Sequence, residues 1–380
     1  MTIHWCGTGL SAIPGLRHLI KEGHDVIVWN RSMEKAKDAL GDITTNIQPF
    51  NKQTIENSIN EGDIIVSMLP ADWHVPLAKI AISKRSNFVS SSYISPEMRS
   101  LDNKAKEVGL TLVNEVGLDP GIDHLMAHKL IEEYRNSRQN LPGNELSFIS
   151  YCGGIPKIPN DFKYKFSWSP LGVLKALKSP SKSIRDFKEY DVERPWNAIS
   201  SYQAPLIRPE SFEVYPNRDS LPFIKQYNFD PEWQIKEFVR GTLRLNGWSK
   251  AWKHVFEEIE KLSGSDGEKR LKEMSDQFWE ENSYADGEPD RVVLCVGLKA
   301  DKNNSTFWHK TFVMDAWGDN QATAMARLVS YPVSYAVEAI FQNKLPSGIL
   351  AATDNLNLIS EWLGKISKIV QYIEVINHKK

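Results

Sequence analysis

Short apolar runs that alternate with amphipathic stretches set the pattern of the first 115 residues. Each run ends in a polar or glycine-rich turn, and a helical periodicity follows. The apolar runs predict five strands, at 2–6, 25–29, 63–69, 88–90 and 110–113. Strands that alternate with helices in this way are typical of a doubly wound parallel sheet.

The pattern changes after about residue 130, where longer strands with alternating hydrophobicity appear. We predict a strand at 146–152 and a hairpin at 292–300 and 306–315. The 3.6-residue period at 248–282 predicts a helical pair, separated by the glycine and serine residues of 263–267. Two further predictions are a helix at 323–341, kinked or broken at Pro332, and helical structure over 349–373.

These elements predict an α/β protein with two domains. The first is a doubly wound domain at 1–127, with 345–380 packing back on it. The second, at 128–344, is an α+β domain with a mixed sheet for substrate binding and dimerisation, and it carries a small helical insertion at about 248–285.

A glycine motif follows the first strand directly. Gly7, Gly9 and Ala12 form a GxGxxA sequence between a strand and a helix, which is the arrangement of a Rossmann dinucleotide-binding turn. The second strand then ends at Asn30-Arg31-Ser32. An acidic residue here would bind the ribose of NAD, whereas a guanidinium with a nearby hydroxyl suits the 2′-phosphate of NADP(H).

The stretch 113–127 reads VNEVGLDPGIDHLMA and lies where a strand ends and a helix begins. Ligands bind beyond the carboxyl ends of parallel strands, so Asp119 is a candidate acid/base group, together with Tyr93, Cys152 and Glu115. The alternative is a tight turn with Asp123 as the helix N-cap. His124 and His128 share a helix face, but without a third ligand they do not indicate a metal site.

Arginines that follow strands in the second half are the candidate partners of substrate carboxylates. Arg218, Arg240 and Arg244 lie in such clusters, and guanidinium groups bind carboxylates through paired hydrogen bonds. Surface or inter-strand ion pairs are the alternative role for each.

Composition restricts the class of partner. Lys and Arg total 46 against 48 Asp and Glu, a net charge of −2, which gives no basis for binding nucleic acid or an anionic membrane. No apolar run reaches the ~20 residues of a membrane span, and no signal peptide is evident. The three cysteines are far apart in apolar contexts, which favours a reducing cytoplasm over a disulfide framework.

Seven segments in order resemble the saccharopine dehydrogenase family, of the NADP-dependent, glutamate-forming type. They are GTGLSA at the N-terminus, SSYISPEM at 91–98, NEVGLDPGIDHLMA, YCGG at 151–154, YKFSWSPLGVL at 164–174, YPNRDSLP at 215–222 and RGTLR at 240–244. The resemblance implies a dinucleotide domain, a substrate domain with a helical insertion, and a homodimer. It also implies NADP+-dependent oxidation of the secondary amine of saccharopine to an imine. Hydrolysis of the imine then gives glutamate and 2-aminoadipate semialdehyde, in lysine metabolism.

The resemblance assigns roles by position. The implied cofactor-binding residues are Gly7, Thr8, Gly9, Leu10, Ser11, Asn30, Arg31, Ser32, Phe50, Leu69, Pro70, Ser91, Ser92 and Leu118. The implied substrate-binding residues are Ser92, Tyr93, Asp119, Cys152, Arg218, Thr242, Leu243 and Arg244. Asp119 and Tyr93 carry the implied proton transfers, and Cys152 is a pocket-wall residue because the reaction needs no covalent intermediate.

Two other functions stay open from the sequence. One is a carboxynorspermidine or lysine 6-dehydrogenase-like enzyme, which also forms or oxidises a C–N bond. The other is an NADP-binding protein without catalysis, whose second domain binds a partner.

Overall fold

The computed structural model describes residues 1–379, and these residues fold into two compact units. The first unit contains residues 1–125 and 326–364. The second contains residues 126–325 and, at the C-terminus, the described residues 365–379.

The helices and strands of residues 1–379 are numbered in chain order. The strands are β1 (Ile3–Cys6), β2 (Val26–Asn30), β3 (Ile47–Pro49), β4 (Ile64–Ser67), β5 (Asn87–Ser90), β6 (Thr111–Val113), β7 (Glu145–Pro156), β8 (Ser181–Arg185), β9 (Lys188–Val192), β10 (Ser200–Ala204), β11 (Glu210–Pro216), β12 (Gln234–Leu245), β13 (Asp290–Lys302), β14 (Ser305–Trp317), β15 (Gly348–Leu350) and β16 (Tyr372–Asn377). The α-helices are α1 (Ile13–Lys21), α2 (Met33–Leu40), α3 (Lys52–Ser58), α4 (His74–Ser83), α5 (Pro96–Arg99), α6 (Asp102–Glu107), α7 (Ile122–Arg135), α8 (Pro170–Lys178), α9 (Pro222–Gln226), α10 (Trp248–Ala251), α11 (Lys253–Lys261), α12 (Gly264–Asn282), α13 (Ala324–Phe341) and α14 (Leu356–Ile366). Short 3-10 helices lie at Ala71–Trp73 and Pro195–Ala198.

A parallel sheet forms the centre of the first unit, in the order β3-β2-β1-β4-β5-β6-β15. Every neighbouring pair is parallel, and the reversal of strand order at β1 and β4 creates a crevice at their carboxyl ends. The predicted doubly wound sheet is therefore confirmed. Apart from the edge strand β3, its strands are mostly apolar and buried, as expected when helices cover both faces.

Helices α1 and α13 of the first unit approach each other closely. A Cβ atom on Gly15 would lie 2.1 Å from the carbonyl oxygen of Ser330, so only glycine fits at this position. The Gly15 N–H also donates to the Ser330 hydroxyl at 2.8 Å. This contact explains why residues 326–344 belong to the first unit, although the sequence analysis assigned them to the second domain.

A mixed sheet forms the centre of the second unit, in the order β10-β11-β12-β7-β13-β14-β16, with the β8–β9 hairpin attached to β12. Strands β12 and β7 run parallel and the other neighbours along this path are antiparallel. The structure thus confirms the predicted α+β mixed sheet and the β13–β14 hairpin. Because side chains alternate across a strand, each strand presents every second residue to one face.

The helical insertion packs an aromatic cluster against α8. Trp248, Trp252 and Phe278 are buried there together with Tyr164 and Phe166. The interruption between α11 and α12 is shorter than predicted, because 264–267 form the first turn of α12.

Two predictions for the C-terminal part need correction. Of the two outcomes predicted at Pro332, a kink or a break, the break is wrong, because α13 continues through this residue. The predicted helical segment 349–373 instead contains β15, α14 and part of β16. The apolar triplet of β15 pairs with β6, and β16 pairs with β14, so tertiary pairing overrides local periodicity in both strands. Among the described residues, 1–379, no helix has the length and apolar character needed to cross a membrane.

Candidate active site

The glycine turn between β1 and α1 is built to receive a phosphate. Gly7 has φ +101°, and a Cβ on it would lie 2.8 Å from the Met68 carbonyl oxygen. A Cβ on Gly9 would have no neighbour within 4 Å, so the backbone is open there. The first turn of α1 adds little to this, because Pro14 has no N–H and the Gly15 N–H already donates to Ser330, so the open backbone of the glycine turn itself is the phosphate-binding feature.

Thr8 provides an independent indication of a ligand at this turn. Its hydroxyl is buried and makes no hydrogen bond to any other residue in 1–379. Burying an unpaired hydroxyl is unfavourable, so such a group in a phosphate-binding turn suits a ligand oxygen. The predicted cofactor loop therefore fits a dinucleotide.

Asn30 connects the glycine turn to the loop that follows β2 through side-chain hydrogen bonds. Its Oδ1 accepts a hydrogen bond from the Thr8 N–H at 3.2 Å, and its Nδ2 donates to the Ser32 carbonyl at 2.8 Å. Ser32 caps α2 by accepting from the Lys35 N–H. Asn30 thus positions the loop, whereas the Arg31 side chain is exposed.

Other predicted cofactor residues follow the next strands of the same sheet. Phe50 follows β3 and packs edge-on against Trp73, with ring centroids 4.9 Å apart. Leu69 and Pro70 follow β4, and the Leu69 side chain lies against Gly7. Ser91 and Leu118 follow β5 and β6, Leu10 is exposed at the turn itself, and Ser11 precedes α1.

The turn at Asp119-Pro120-Gly121 is closed by backbone hydrogen bonds. The Gly117 N–H donates to the Pro120 carbonyl at 2.9 Å, and the Ile122 N–H donates to the Gly117 carbonyl at 3.0 Å. Gly121 has φ +146°, and a Cβ on it would lie 2.1 Å from the Gly117 oxygen. The turn is consequently rigid and presents a half-buried Asp119 side chain.

Tyr93 and Asp119 are in direct contact. The Tyr93 hydroxyl donates a hydrogen bond to Asp119 Oδ1 at 3.1 Å, so the structure brings together the two residues predicted to carry proton transfer. Both side chains are half-buried, and both follow strands of the parallel sheet. A phenol that donates to a carboxylate fixes the orientation of that carboxylate.

Glu115 connects the loop that contains Tyr93 to the loop that contains Asp119 through two hydrogen bonds. Its N–H donates to the Ser92 carbonyl at 3.1 Å, and its Oε1 accepts from the Ile94 N–H at 2.9 Å. These two bonds flank Tyr93 on either side. Glu115 is buried and has a left-handed backbone with φ 55°, a conformation that costs energy in a residue with a side chain. These contacts support a positioning role for Glu115, and its acid/base role stays a prediction.

Asp123 is not the helix N-cap that the turn interpretation suggested. It is the second residue of α7, and its Oδ1 accepts from the Gly121 N–H at 2.7 Å. The next residue is His124. Its Nε2 lies 3.1 Å from Glu115 Oε2, and its Nδ1 lies 3.4 Å from Asp123 Oδ2. His128 packs edge-on against Tyr227. Within residues 1–379 no group of three His, Cys, Asp or Glu is placed to hold a metal ion.

The predicted substrate residues of the second unit lie on neighbouring strands. Cys152 on β7 is paired in register with Thr242 on the parallel strand β12. Thr242 is in turn paired in register with Tyr215 on the antiparallel strand β11. Arg244 lies two residues beyond Thr242 and therefore on the same face. The Leu243 side chain points to the opposite face and packs in the core, so only its main chain is available to a ligand.

Arg244 is a buried cation surrounded by aromatic rings. Its guanidinium lies 4.7 Å from the Tyr164 ring centroid, 5.8 Å from that of Tyr215 and 5.4 Å from that of Trp248. Burial raises the pKa of the Tyr215 phenol, against the opposing effect of Arg244, so this neighbour is uncharged. Within 1–379 Arg244 forms no ion pair with an Asp or Glu; its guanidinium is hydrogen-bonded to the Tyr215 phenol, and its Nε is unsatisfied. A buried guanidinium of this kind suits an anionic ligand.

The other two arginines differ from Arg244. Arg240 is buried with its guanidinium 3.9 Å from the Phe223 ring centroid. Arg218 is exposed and has a left-handed backbone with φ 58°, while its carbonyl accepts from the Lys182 N–H at 2.9 Å. The strained backbone at Arg218 marks it as a candidate functional position.

Comparison with known families assigns both parts of the chain. Residues 3–113 match the saccharopine dehydrogenase NADP binding domain, and residues 117–370 match the saccharopine dehydrogenase C-terminal domain. The chain belongs to the saccharopine dehydrogenase family. The first of these matches covers β1 to β6 with the glycine turn, and the second covers the Asp119 turn, Cys152 and the arginines.

Individual members of the saccharopine dehydrogenase family are similar over different lengths. The NADP+, L-glutamate-forming saccharopine dehydrogenase of Pyricularia oryzae is 36% identical over 250 residues, which cover 64% of this chain and 54% of that protein. The enzyme of the same name from Schizosaccharomyces pombe is 26% identical over 425 aligned positions, covering 92% of this chain and 93% of that one. An Arabidopsis thaliana alpha-aminoadipic semialdehyde synthase is 34% identical, but only 21% of its length is matched. The chain thus spans about half or less of several relatives that it matches.

A solved structure supports the fold. The apo saccharopine dehydrogenase of Saccharomyces cerevisiae superposes with a TM-score of 0.80 at 24% identity, covering 99% of both chains. The saccharopine dehydrogenase architecture is therefore shared along the whole chain.

Proposed function

We propose that the protein is an NADP(H)-dependent saccharopine dehydrogenase of the L-glutamate-forming type, acting in lysine metabolism. The observation that carries the proposal is the hydrogen-bonded Tyr93–Asp119 pair at the carboxyl edge of a dinucleotide-binding sheet. The buried and aromatic-lined Arg244 of the second unit supports a substrate with several carboxylates.

The chain's own residues supply binding and proton transfer in this proposal. Bound NADP+ supplies the hydride acceptor for the carbon attached to the secondary amine. Asp119 takes the proton that the nitrogen loses as the imine forms, and Tyr93 holds the carboxylate in position. Water adds to the imine, its oxygen bonding to carbon and one of its protons passing to nitrogen, which gives a carbinolamine. Asp119 then gives its proton to the nitrogen and accepts the hydroxyl proton as the C–N bond breaks, which releases glutamate and the semialdehyde. Arg218, Thr242 and Arg244 bind the carboxylates, and Cys152 forms part of the pocket wall.

The discriminating experiment is an NADP+ reduction assay with saccharopine, lysine and carboxynorspermidine measured side by side. Turnover of saccharopine alone is the expected result. Activity only on lysine or carboxynorspermidine would instead favour the other amine-oxidising enzymes. NADPH binding without turnover of any of the three would point to a non-catalytic cofactor-binding protein.

We also propose that the protein is a cytoplasmic homodimer. The homodimer follows from the family resemblance. The reducing compartment is supported by Cys6, Cys152 and Cys295, which are buried and joined in no disulfide.

Arg31→Asp should weaken NADPH binding by about tenfold to a hundredfold and leave NADH binding nearly unchanged, because it removes the charged partner of the 2′-phosphate. Fluorescence titration with both nucleotides measures this selectivity. Arg138→Asp is the control, since it makes the same charge change at an exposed position of the second unit. Equal losses for the two nucleotides would contradict the NADP assignment.

Arg218→Ala should raise the KM for saccharopine by about tenfold while NADPH affinity stays intact, because one charge-assisted contact to a carboxylate is lost. Steady-state kinetics at saturating NADP+ measure this effect. Arg208→Ala, another exposed arginine of the second unit, serves as the control. An unchanged KM would remove Arg218 from the substrate site.

A further inference from the structure

A buried histidine connects two of the strand-end loops that carry predicted site residues. His74 is the first residue of α4, directly after the loop that leaves β4. Its Nδ1 lies 2.9 Å from the Ser67 hydroxyl oxygen, and its Nε2 lies 2.8 Å from the Ser92 hydroxyl oxygen. The imidazole thus bridges the end of β4 to the loop after β5.

The two serines at the ends of this bridge differ in burial. Ser67 is fully buried, and its contact with His74 is the only hydrogen bond of its hydroxyl to residues in 1–379. Ser92 is half-buried and lies next to Tyr93. The Ser67 end of the bridge is therefore buried in the protein interior, whereas the Ser92 end lies at the surface of the candidate site.

This difference decides which nitrogen of His74 carries the proton. If Nδ1 carried it, the Ser67 oxygen would accept, and the Ser67 O–H would remain buried without an acceptor. If Nε2 carries it, Ser67 donates to Nδ1, and the imidazole N–H donates to Ser92. Only the second arrangement satisfies every buried donor. Burial lowers the pKa of His74 to about 4, against the attraction of Asp72, so the ring is neutral near pH 7.

The arrangement also orients the Ser92 hydroxyl. Because the Ser92 oxygen accepts from His74, its own hydrogen must point elsewhere. The rest of Ser92 is held in place: its N–H donates to the Ser90 hydroxyl at 3.3 Å, and its carbonyl accepts from the Glu115 N–H at 3.1 Å. A fixed backbone and an oriented hydroxyl together produce a hydrogen-bond donor of defined direction.

We propose that His74 is a positioning residue that makes Ser92 an obligatory hydrogen-bond donor to an oxygen of the bound substrate. The substrate atom is a carboxylate or carbinolamine oxygen, both of which accept hydrogen bonds. This inference rests on the proposed function. His74 itself neither contacts the substrate nor transfers a proton.

Selective 15N-histidine labelling tests the tautomer without any turnover. His74, assigned by its absence from the spectrum of His74→Gln, should show a protonated Nε2 and a bare Nδ1 from pH 6 to 9. In Ser67→Ala the preference for this tautomer should weaken, because the buried donor that enforces it is gone. A protonated Nδ1 or a doubly protonated ring in the unmodified protein would overturn the proposal.

Kinetic measurements on single and double variants test whether His74 acts through Ser92. His74→Leu should lower kcat/KM for saccharopine by about tenfold, as expected for one misdirected hydrogen bond. His74→Gln should recover most of the loss, because its amide N–H can replace Nε2. Adding His74→Leu to Ser92→Ala should cause little further loss. Independent, additive losses, or equal losses in the leucine and glutamine variants, would contradict action through Ser92.

The measurements separate this inference from the proposed function. If the unmodified protein does not oxidise saccharopine, the proposed function fails, and the NMR experiment still decides the tautomer. If it does oxidise saccharopine but the two substitutions are additive, only the role of His74 fails. Should His74→Leu not fold, as judged by circular dichroism, Ser67→Ala alone and combined with Ser92→Ala provides the comparison, because it weakens the tautomer that directs Ser92.

Discussion

Replacing Asp119 with asparagine should lower kcat for saccharopine oxidation by about 10²–10⁴-fold, the usual loss when a general acid–base group is removed. Asparagine keeps the shape of the side chain and an oxygen that can accept the Tyr93 hydrogen bond, which measures 3.1 Å. It cannot take up the amine proton. The loss should therefore appear in kcat, with NADPH affinity and thermal stability unchanged.

The pH dependence of kcat/KM provides a second measurement on the same variant. Protonation of the Asp119 carboxylate should account for the acidic limb of the profile, so this limb should be absent in Asp119→Asn. Tyr93→Phe is the companion variant: it keeps the carboxylate but removes the hydroxyl that orients it. A smaller loss with the acidic limb retained is expected there. An Asp119→Asn enzyme with normal kcat would exclude Asp119 as the proton-transfer residue.

Local sequence patterns predicted much of the fold because the signals were strong and local. The strand β1 is a fully apolar run that leads directly into the glycine turn, and β13 and β14 alternate over a long hairpin. In contrast, β15 has only three residues, and its identity as a strand depends on pairing with β6, far away in the sequence. Periodicity over a short window cannot reveal such a partner.

The sequence also predicted part of the candidate site. Asp119 and Tyr93 were identified from strand ends and family resemblance, and the structure brings them into contact. The residues behind them were not identified. The roles of His74 and Glu115 depend on hydrogen bonds to residues 7 to 23 positions away in the sequence. Glu115 also has a left-handed backbone, which is uncommon for a glutamate. No composition or spacing rule indicates such contacts.

Replacing Arg244 with methionine should raise the KM for saccharopine by about 10²-fold or more. Each charge-assisted hydrogen bond contributes about 1.5–3 kcal/mol, and a guanidinium offers two such bonds to one carboxylate. Methionine keeps most of the apolar volume between the rings of Tyr164 and Trp248. Steady-state kinetics and NADPH titration measure the effect, and cofactor affinity should not change.

The fold should tolerate this substitution, and that tolerance distinguishes a ligand-binding arginine from a structural one. Arg244 has no carboxylate partner in 1–379, so its removal leaves no buried acid unpaired. Arg291 is the matched control, because it is paired with Asp315 at 2.7 Å and with Glu210 at 2.8 Å. Arg291→Met should cost about 3–5 kcal/mol of unfolding free energy, as expected when one partner of a mostly buried ion pair is removed.

Thermal unfolding of the two variants beside the kinetics therefore separates the two roles. Arg244→Met is expected to keep or raise the Tm and lose substrate affinity, since a buried cation without a carboxylate partner is costly to the unliganded protein. Arg291→Met is expected to lower the Tm. If Arg244→Met instead lowers the Tm as much as Arg291→Met and leaves KM unchanged, the aromatic-lined guanidinium is part of the core and binds no substrate carboxylate.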